Sequence, residues 1–195
     1  MEYIMFDFKD FYDRIAEELP NDCKVLEVGV ADGDSSLYLA WRLNELGKKF
    51  TLYMVDDMSY GNYIQLCTIY ENIIRSGLGS NIKVIPKDSI KASYDFNDGY
   101  LDFIFLDSSH QYKETKDSIQ KWYPKLKDEG IFSGHDYYLY GGVKDAVDEL
   151  IPTEFTRTDI PNREFEPEKI LNVEETKNGF GLFWFKKQWY LQLNK

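Results

Sequence analysis

Apolar residues recur along this chain in two alternating rhythms, one helical and one extended. Phe8, Phe11, Tyr12, Ile15 and Leu19 repeat at helical spacing until Pro20 stops the pattern. Lys24 to Val28 then reads as a strand, and Leu37, Leu39, Ala40, Trp41, Leu43 and Leu46 as a helix that ends near Gly47. Phe50 to Val55 predicts a second strand, followed by a helix with Tyr63, Cys67, Tyr70 and Ile74 on one face and Gly77 after it. Ile82 to Ile85 predicts a short third strand. Leu101 to Leu106 is almost wholly apolar, as expected of a central parallel strand covered on both faces. Tyr112 to Lys127 is helical by pattern, with Ile119, Trp122, Tyr123 and Leu126 sharing a face and Pro124 kinking it or tightening its last turn. A strand over Ile131 to Ser133 and a helix over Val143 to Leu150 follow. Leu171 to Glu175 and Phe180 to Phe185, around Lys177-Asn178-Gly179, predict an antiparallel hairpin.

Strands alternating with helices predict an α/β fold: a mostly parallel sheet, helices on both faces, and the terminal hairpin as an antiparallel edge. The length and the lack of an internal repeat or linker predict one domain over residues 1–195, with an N-terminal helix within 1–20. Residues 152–170 hold three prolines and many charges, and read as a long loop that helps shape substrate choice.

Composition narrows the function classes. A formal net charge of −11 opposes a phosphate backbone, so a nucleic-acid substrate is disfavoured, and it does not favour an anionic membrane. The two cysteines, Cys23 and Cys67, form no metal-type pair and read as ordinary buried thiols. The N-terminal residues lack a basic region followed by an apolar stretch, and no run is long enough to span a bilayer, so the expected location is the cytoplasm. The aromatic stretch from Phe183 to Tyr190 reads either as a homo-oligomer interface or as the sheet edge.

The most informative segment is Val25-Leu26-Glu27-Val28-Gly29-Val30-Ala31-Asp32-Gly33-Asp34-Ser35-Ser36. It reads as a buried strand, a glycine turn and the start of a helix, with Asp34 or Ser35 able to cap that helix. Such a turn at the carboxyl end of a strand is a nucleotide-type cradle. Its spacing is not G-x-G-x-x-G, which argues against a nicotinamide site. The pattern E-x-G-x-x-x-G-x-S, from Glu27 through Gly29 and Gly33 to Ser35, resembles the first motif of class I S-adenosylmethionine (SAM) dependent methyltransferases.

Further elements follow in order: Asp56 closing the second strand with Asp57 beside it, Asp88-Ser89 after the third, Asp107-Ser108-Ser109-His110 after the fourth and Gly134-His135-Asp136 after the fifth. These are similar to the metal-dependent O-methyltransferase branch that includes the catechol and macrolide-sugar enzymes. The resemblance runs over about Lys24 to Asp136 and implies the seven-stranded Rossmann-like fold of that class. It implies that Glu27, Gly29, Gly33, Ser35, Asp56, Asp88 and Ser89 hold SAM, with Asp56 or its rival Asp57 on the ribose. It implies that Asp107, His135 and Asp136 hold a divalent metal, Mg or Mn, and that His110 is the general base. His135 departs from the acidic or amide residue usual in that pair. An imidazole there tilts the site away from Mg²⁺. Two alternatives stand beside it: Asp136 binds metal while His135 orients the substrate, or no metal binds. Tyr112, Tyr137, Tyr138 and Tyr140 flank the site. The expected activity is methylation of a hydroxyl on a sugar or other small molecule. The rivals are metal-independent N- or C-methylation and a non-catalytic SAM-binding or interaction module.

Overall fold

In the computed structural model, residues 6–59, 61–155, 168–187 and 193 are described. The elements run β1 (Cys23–Val28), β2 (Phe50–Asp56), β3 (Ile82–Pro86), β4 (Leu101–Leu106), β5 (Leu126–Gly134), β6 (Glu154–Phe155), β7 (Glu168–Lys169), β8 (Asn172–Glu174) and β9 (Leu182–Lys186). The α-helices are α1 (Lys9–Glu18), α2 (Asp34–Glu45), α3 (Asn62–Ser76), α4 (Ser89–Ser93), α5 (Tyr112–Trp122) and α6 (Gly141–Leu150). Seven strands form one sheet in the order β3-β2-β1-β4-β5-β9-β8. β1 to β5 pair in parallel, and β9 runs antiparallel to both β5 and β8. This is the expected mostly parallel Rossmann-like sheet with its antiparallel C-terminal hairpin.

The central strands explain the apolar runs. All of β4 is buried, and Phe103, Ile104 and Phe105 are wholly so. One layer packs α1 and α2 against Phe103, Phe105 and Ile131. The other packs Ile119, Trp122, Val143 and Val147 against Ile104 and Phe132. Each such aliphatic or aromatic side chain contributes roughly 1.5–3 kcal/mol on burial. α1 crosses the first layer beside the site: Phe8 and Tyr12 rest on Phe105, with ring centroids 4.7 and 5.1 Å apart. Asp102, the one acid inside β4, accepts bonds from Lys127 Nζ on both carboxylate oxygens (2.8 and 2.9 Å) and from Lys24 N–H (2.8 Å). Those bonds answer the cost of burying its charge.

Local structure departs from the pattern at several places. Leu126 does not continue a helix. α5 ends at Trp122, residues Tyr123–Lys125 form a 3₁₀ turn carrying Pro124, and Leu126 opens β5 beside Leu101. Proline cannot supply the N–H that an α-helix would need there. Tyr63, Cys67, Tyr70 and Ile74 do lie along one side of α3, but Tyr63, Tyr70 and Ile74 face solvent. Gln65, Ile69 and Ile73 provide the buried side instead. Cys23 is buried, whereas Cys67 is partly exposed. The short helix α4 carries too few residues to show a period. In the segment 152–170, β6 and β7 pair as a two-stranded sheet, and residues 156–167 lie outside the described part. The tail reading covers β9 and extends beyond the described residues at 188–190.

Candidate active site

The sheet ladder continues past the strand ends and aligns the loops that follow. Gly29 N–H donates to the Val55 carbonyl (2.8 Å), Asp107 N–H to Val28 (2.8 Å) and His135 N–H to Leu106 (3.0 Å). One carboxyl edge therefore carries the glycine turn, the Asp107–His110 loop and the His135-Asp136 pair side by side, as open α/β sheets do at their ligand crevice.

The turn after β1 is held by backbone geometry. Gly29 has φ +84°, and a Cβ there would stand 1.9 Å from the Asp107 carbonyl oxygen. Only glycine fits both the left-handed conformation and that approach. Gly33, at φ +88°, is the N-cap of α2. Neither Asp34 nor Ser35 caps this helix, since the cap position falls on Gly33 without a side-chain bond. Ser35 Oγ donates instead to Glu27 Oε1 (2.5 Å) and Ser36 Oγ to Glu27 Oε2 (2.7 Å). Glu27 is wholly buried, and that burial, opposed by the two hydroxyls, pushes its carboxyl up to about 7. Glu27 and Ser35 thus brace the turn from beneath.

Asp56 is also committed to the turn. Its Oδ2 accepts from Val30 N–H (2.9 Å) and Ala31 N–H (3.2 Å), and its Oδ1 from Met58 N–H (2.8 Å). Asp57 is exposed, with Oδ1 accepting from Ser59 N–H (2.9 Å). Asp88 caps α4 by accepting from Lys91 N–H (3.0 Å). Ser89 Oγ accepts from Trp122 Nε1 (3.0 Å) and lies 3.3 Å from Ser118 Oγ. Sequence reasoning missed this anchor because Trp122 and Ser89 meet only once α5 packs beside α4.

The other half of the edge gathers ionisable groups. His110 Nε2 stands 2.8 Å from Asp136 Oδ2, and its ring stacks on Tyr140 at 4.0 Å between centroids and 9° between planes. Asp107, His110 and Asp136 each present a ligand atom within 4.8 Å of the others. His135 is placed differently from the expected ligand set. It is buried, its Nε2 faces Asp7 Oδ1 at 3.0 Å, and its Nδ1 lies 3.2 Å from Asp136 Oδ1 and 3.7 Å from Asp107 Oδ2. Burial alone would depress the His135 imidazole, but Asp107, Asp136 and Asp7 outweigh it and raise its pKa. Burial, then the neighbouring Asp107 charge, raises the Asp136 carboxyl. Asp136 holds φ +64°, a strained conformation for a residue with a side chain. Of the four flanking tyrosines, Tyr140 touches a site side chain. Tyr137 donates to Asp148 (2.5 Å), Tyr112 to Glu149, and Tyr138 packs edge-on against Tyr137.

This edge, on this sheet order, is that of a class I methyltransferase. A family model described as a methyltransferase domain matches residues 26–137, and the chain belongs to that family. Among solved structures, the chain is similar to a SAM-dependent O-methyltransferase from Thermotoga maritima, at 15% identity over 98% of this chain and 69% of that one, with a TM-score of 0.63. It is similar to an rRNA methylase from Streptococcus thermophilus, at 16% identity over 95% and 98% of the two chains, with a TM-score of 0.61. It also resembles a Streptococcus mutans protein solved in complex with SAH, S-adenosylhomocysteine, at 14% identity over 94% and 99%, with a TM-score of 0.59. At these identities the likeness establishes the fold. No curated protein sequence matches the chain. Among the described residues, no helix is long and apolar enough to cross a membrane.

Proposed function

We propose that this protein transfers the methyl group of SAM to a hydroxyl of a sugar or other small molecule, with His110 as the general base. The observation that carries this reading is the His110–Asp136 contact at 2.8 Å beside the glycine turn. Family membership and the SAH-bound neighbour support SAM as the donor. The turn suits that cofactor: Gly29 and Gly33 let it fold tightly against the Asp107 carbonyl and the Met54 side chain at the carboxyl end of β1, and exposed Asp57 stands next to the committed Asp56 where ribose hydroxyls would fall. Asp88 and Ser89 would flank the adenine. When bound, SAM supplies a methyl carbon already attached to a good leaving group, so the protein's work is alignment.

His110 Nε2 faces Asp136 Oδ2 at ion-pair distance, which leaves Nδ1 to take the acceptor's hydroxyl proton. Tyr140 fixes the ring plane. A base held by a third group in this way contributes about 10²–10⁴-fold. The acceptor is read as a small molecule because a net charge of −11 repels a phosphate backbone.

A second reading has the same residues hold a divalent ion. Two carboxylates and an imidazole within 4.8 Å of one another fit an ion that accepts mixed oxygen and nitrogen donors, such as Mn²⁺, better than Mg²⁺. Asp107, Asp136 and His110 would hold it, and a bound ion would lower the pKa of the acceptor hydroxyl. His135 turns its Nε2 to Asp7 and its Nδ1 to the two carboxylates, beside rather than within that trio.

Calorimetric titration with SAH, followed by a methyl-transfer screen of sugars and phenols, tests the function. Micromolar SAH binding and transfer that persists in excess chelator are expected of the first reading. Transfer abolished by chelator and restored by Mn²⁺ selects the second. No SAH binding in either buffer sinks both.

A further inference from the structure

Asp7 reaches this site from the turn before α1, far from every motif that defines the edge. Its side chain is 5% exposed, as deep as a core residue, and Oδ2 has no hydrogen-bond partner among the described residues. Oδ1 stands 3.0 Å from His135 Nε2, out of line for a full hydrogen bond but at ion-pair distance. The His135 ring is boxed by Phe8, at 4.9 Å between centroids, and Phe180, at 5.8 Å. The Asp7 carbonyl accepts from Lys177 N–H at 3.5 Å, which ties the same turn to the loop between β8 and β9.

A buried carboxylate is costly without a polar partner, and among the described residues His135 Nε2 is the group that faces it. An imidazole has two distinct nitrogens, and what one faces fixes where the other points. With Nε2 held toward Asp7, Nδ1 faces Asp136 and Asp107. Asp136 in turn holds His110. The contacts form one line: Asp7, His135, Asp136, His110.

We propose that Asp7 is a positioning residue that orients the His135 imidazole, and through it Asp136 and the base His110. The inference rests on the methyl-transfer reading only for its consequence in rate. Its structural content stands on the line of contacts. It makes the N-terminal turn part of the reaction centre.

The test is Asp7→Asn, which keeps shape and removes charge, in the full chain with chelator present, with ring spectra taken with SAH bound and turnover measured with SAM and an acceptor. The chain has two histidines, so ¹⁵N-detected ring spectra are assigned by one His110→Asn control. Asp7→Asn is expected to shift the ring nitrogen signals of both histidines and to lower kcat about tenfold or more, while SAH affinity stays within about twofold. Asp7→Glu, which restores the carboxylate, is expected to recover the wild-type pattern of ring protonation and most of kcat. It also serves as the comparison if the Asn variant does not fold. Ring spectra of both histidines unchanged in Asp7→Asn would overturn the proposal. So would a loss in Asp7→Glu as large as in Asp7→Asn at equal thermal stability, because shape alone would then be at stake. A wild-type chain that binds no SAH refutes the methyl-transfer reading instead, and the ring spectra still decide the role of Asp7.

Discussion

The two halves of the carboxyl edge are built on opposite principles. Around β1 and β2, acids are neutralised by the protein itself. Glu27 receives two serine hydroxyls, and Asp56 receives three backbone N–H groups. Around β4 and β5, Asp107, His110, His135 and Asp136 are answered mainly by one another, and Asp136 sits in a left-handed conformation. The first half offers shape to a ligand and has little charge left to give. The second concentrates ionisable groups and a strained backbone position side by side. On the function proposed above, the cofactor falls to the first half and the chemistry to the second.

Gly29→Ala should break the comparison most severely, because the two halves touch there. The added methyl would stand 1.9 Å from the Asp107 carbonyl and 2.8 Å from Ser108 Cα, at a φ that alanine avoids. We expect a stability loss of at least about 4 kcal/mol, which lowers Tm by about 10 °C. A variant within about 1 kcal/mol of wild type in urea unfolding would mean that the turn is not set by this approach. Next in size is His110→Ala, expected to reduce kcat by about 10²–10⁴-fold with SAH affinity within about twofold. An unchanged kcat on a verified acceptor would remove His110 as the base and move the chemistry out of this half.

How much of this was legible in the chain depends on how locally each feature is determined. The positions of the glycine turn, Asp107 and Asp136 along the sheet edge were readable because a strand that ends on polar residues announces its own position. The phase of the sheet was readable because β4 is apolar on both faces. Which histidine would stand against Asp7 and which against Tyr140 was not readable. Both lie one loop from a strand end, and only the ring that faces Asp7 separates them. Asp7 itself carries no periodicity or spacing signal, and its meaning appears when α1 folds over Phe105. Leu126 misled because an apolar residue satisfies a helix face and a strand start equally. Ser35 misled because its hydroxyl had two uses, a cap or a partner for Glu27, and a buried acid is the stronger demand.

Glu27 gives the comparison a pH dependence. Its carboxyl ionises near 4.5 in the unfolded chain and near 7 in the folded one. Between those values the folded protein holds a proton that the unfolded chain has released. Stability therefore falls as pH rises through that window and levels off above it. Glu27→Gln removes the slope, so wild type should lose roughly 2–3 kcal/mol relative to the variant between pH 5 and 8 in urea unfolding. Asp136 is shifted in the same direction, and its share remains in the variant. Parallel pH profiles for the two proteins would show that Glu27 is not protonated in the fold.

The smallest effect asks whether Asp88 belongs to the ligand or only to the fold. Its Oδ1 already caps α4 through Lys91 N–H, and the side chain is exposed, so one carboxylate oxygen remains for the adenine amino group. Asparagine caps as well as aspartate, but its one oxygen is then used and its amide N–H₂ faces the adenine amino group donor to donor, whereas alanine offers neither cap nor acceptor. Asp88→Asn should thus match wild type in stability and, if the adenine rests there, bind SAH more weakly. Asp88→Ala should lose about 1 kcal/mol of stability. If the adenine rests there, the same variant should bind SAH about fivefold more weakly, the worth of one hydrogen bond of about 1 kcal/mol. Calorimetry on the pair separates the two roles. If Asp88→Ala loses the cap and binds SAH like wild type, Asp88 is part of the scaffold, and the donor half holds its ligand by the β1 turn and the Asp56-Asp57 pair alone.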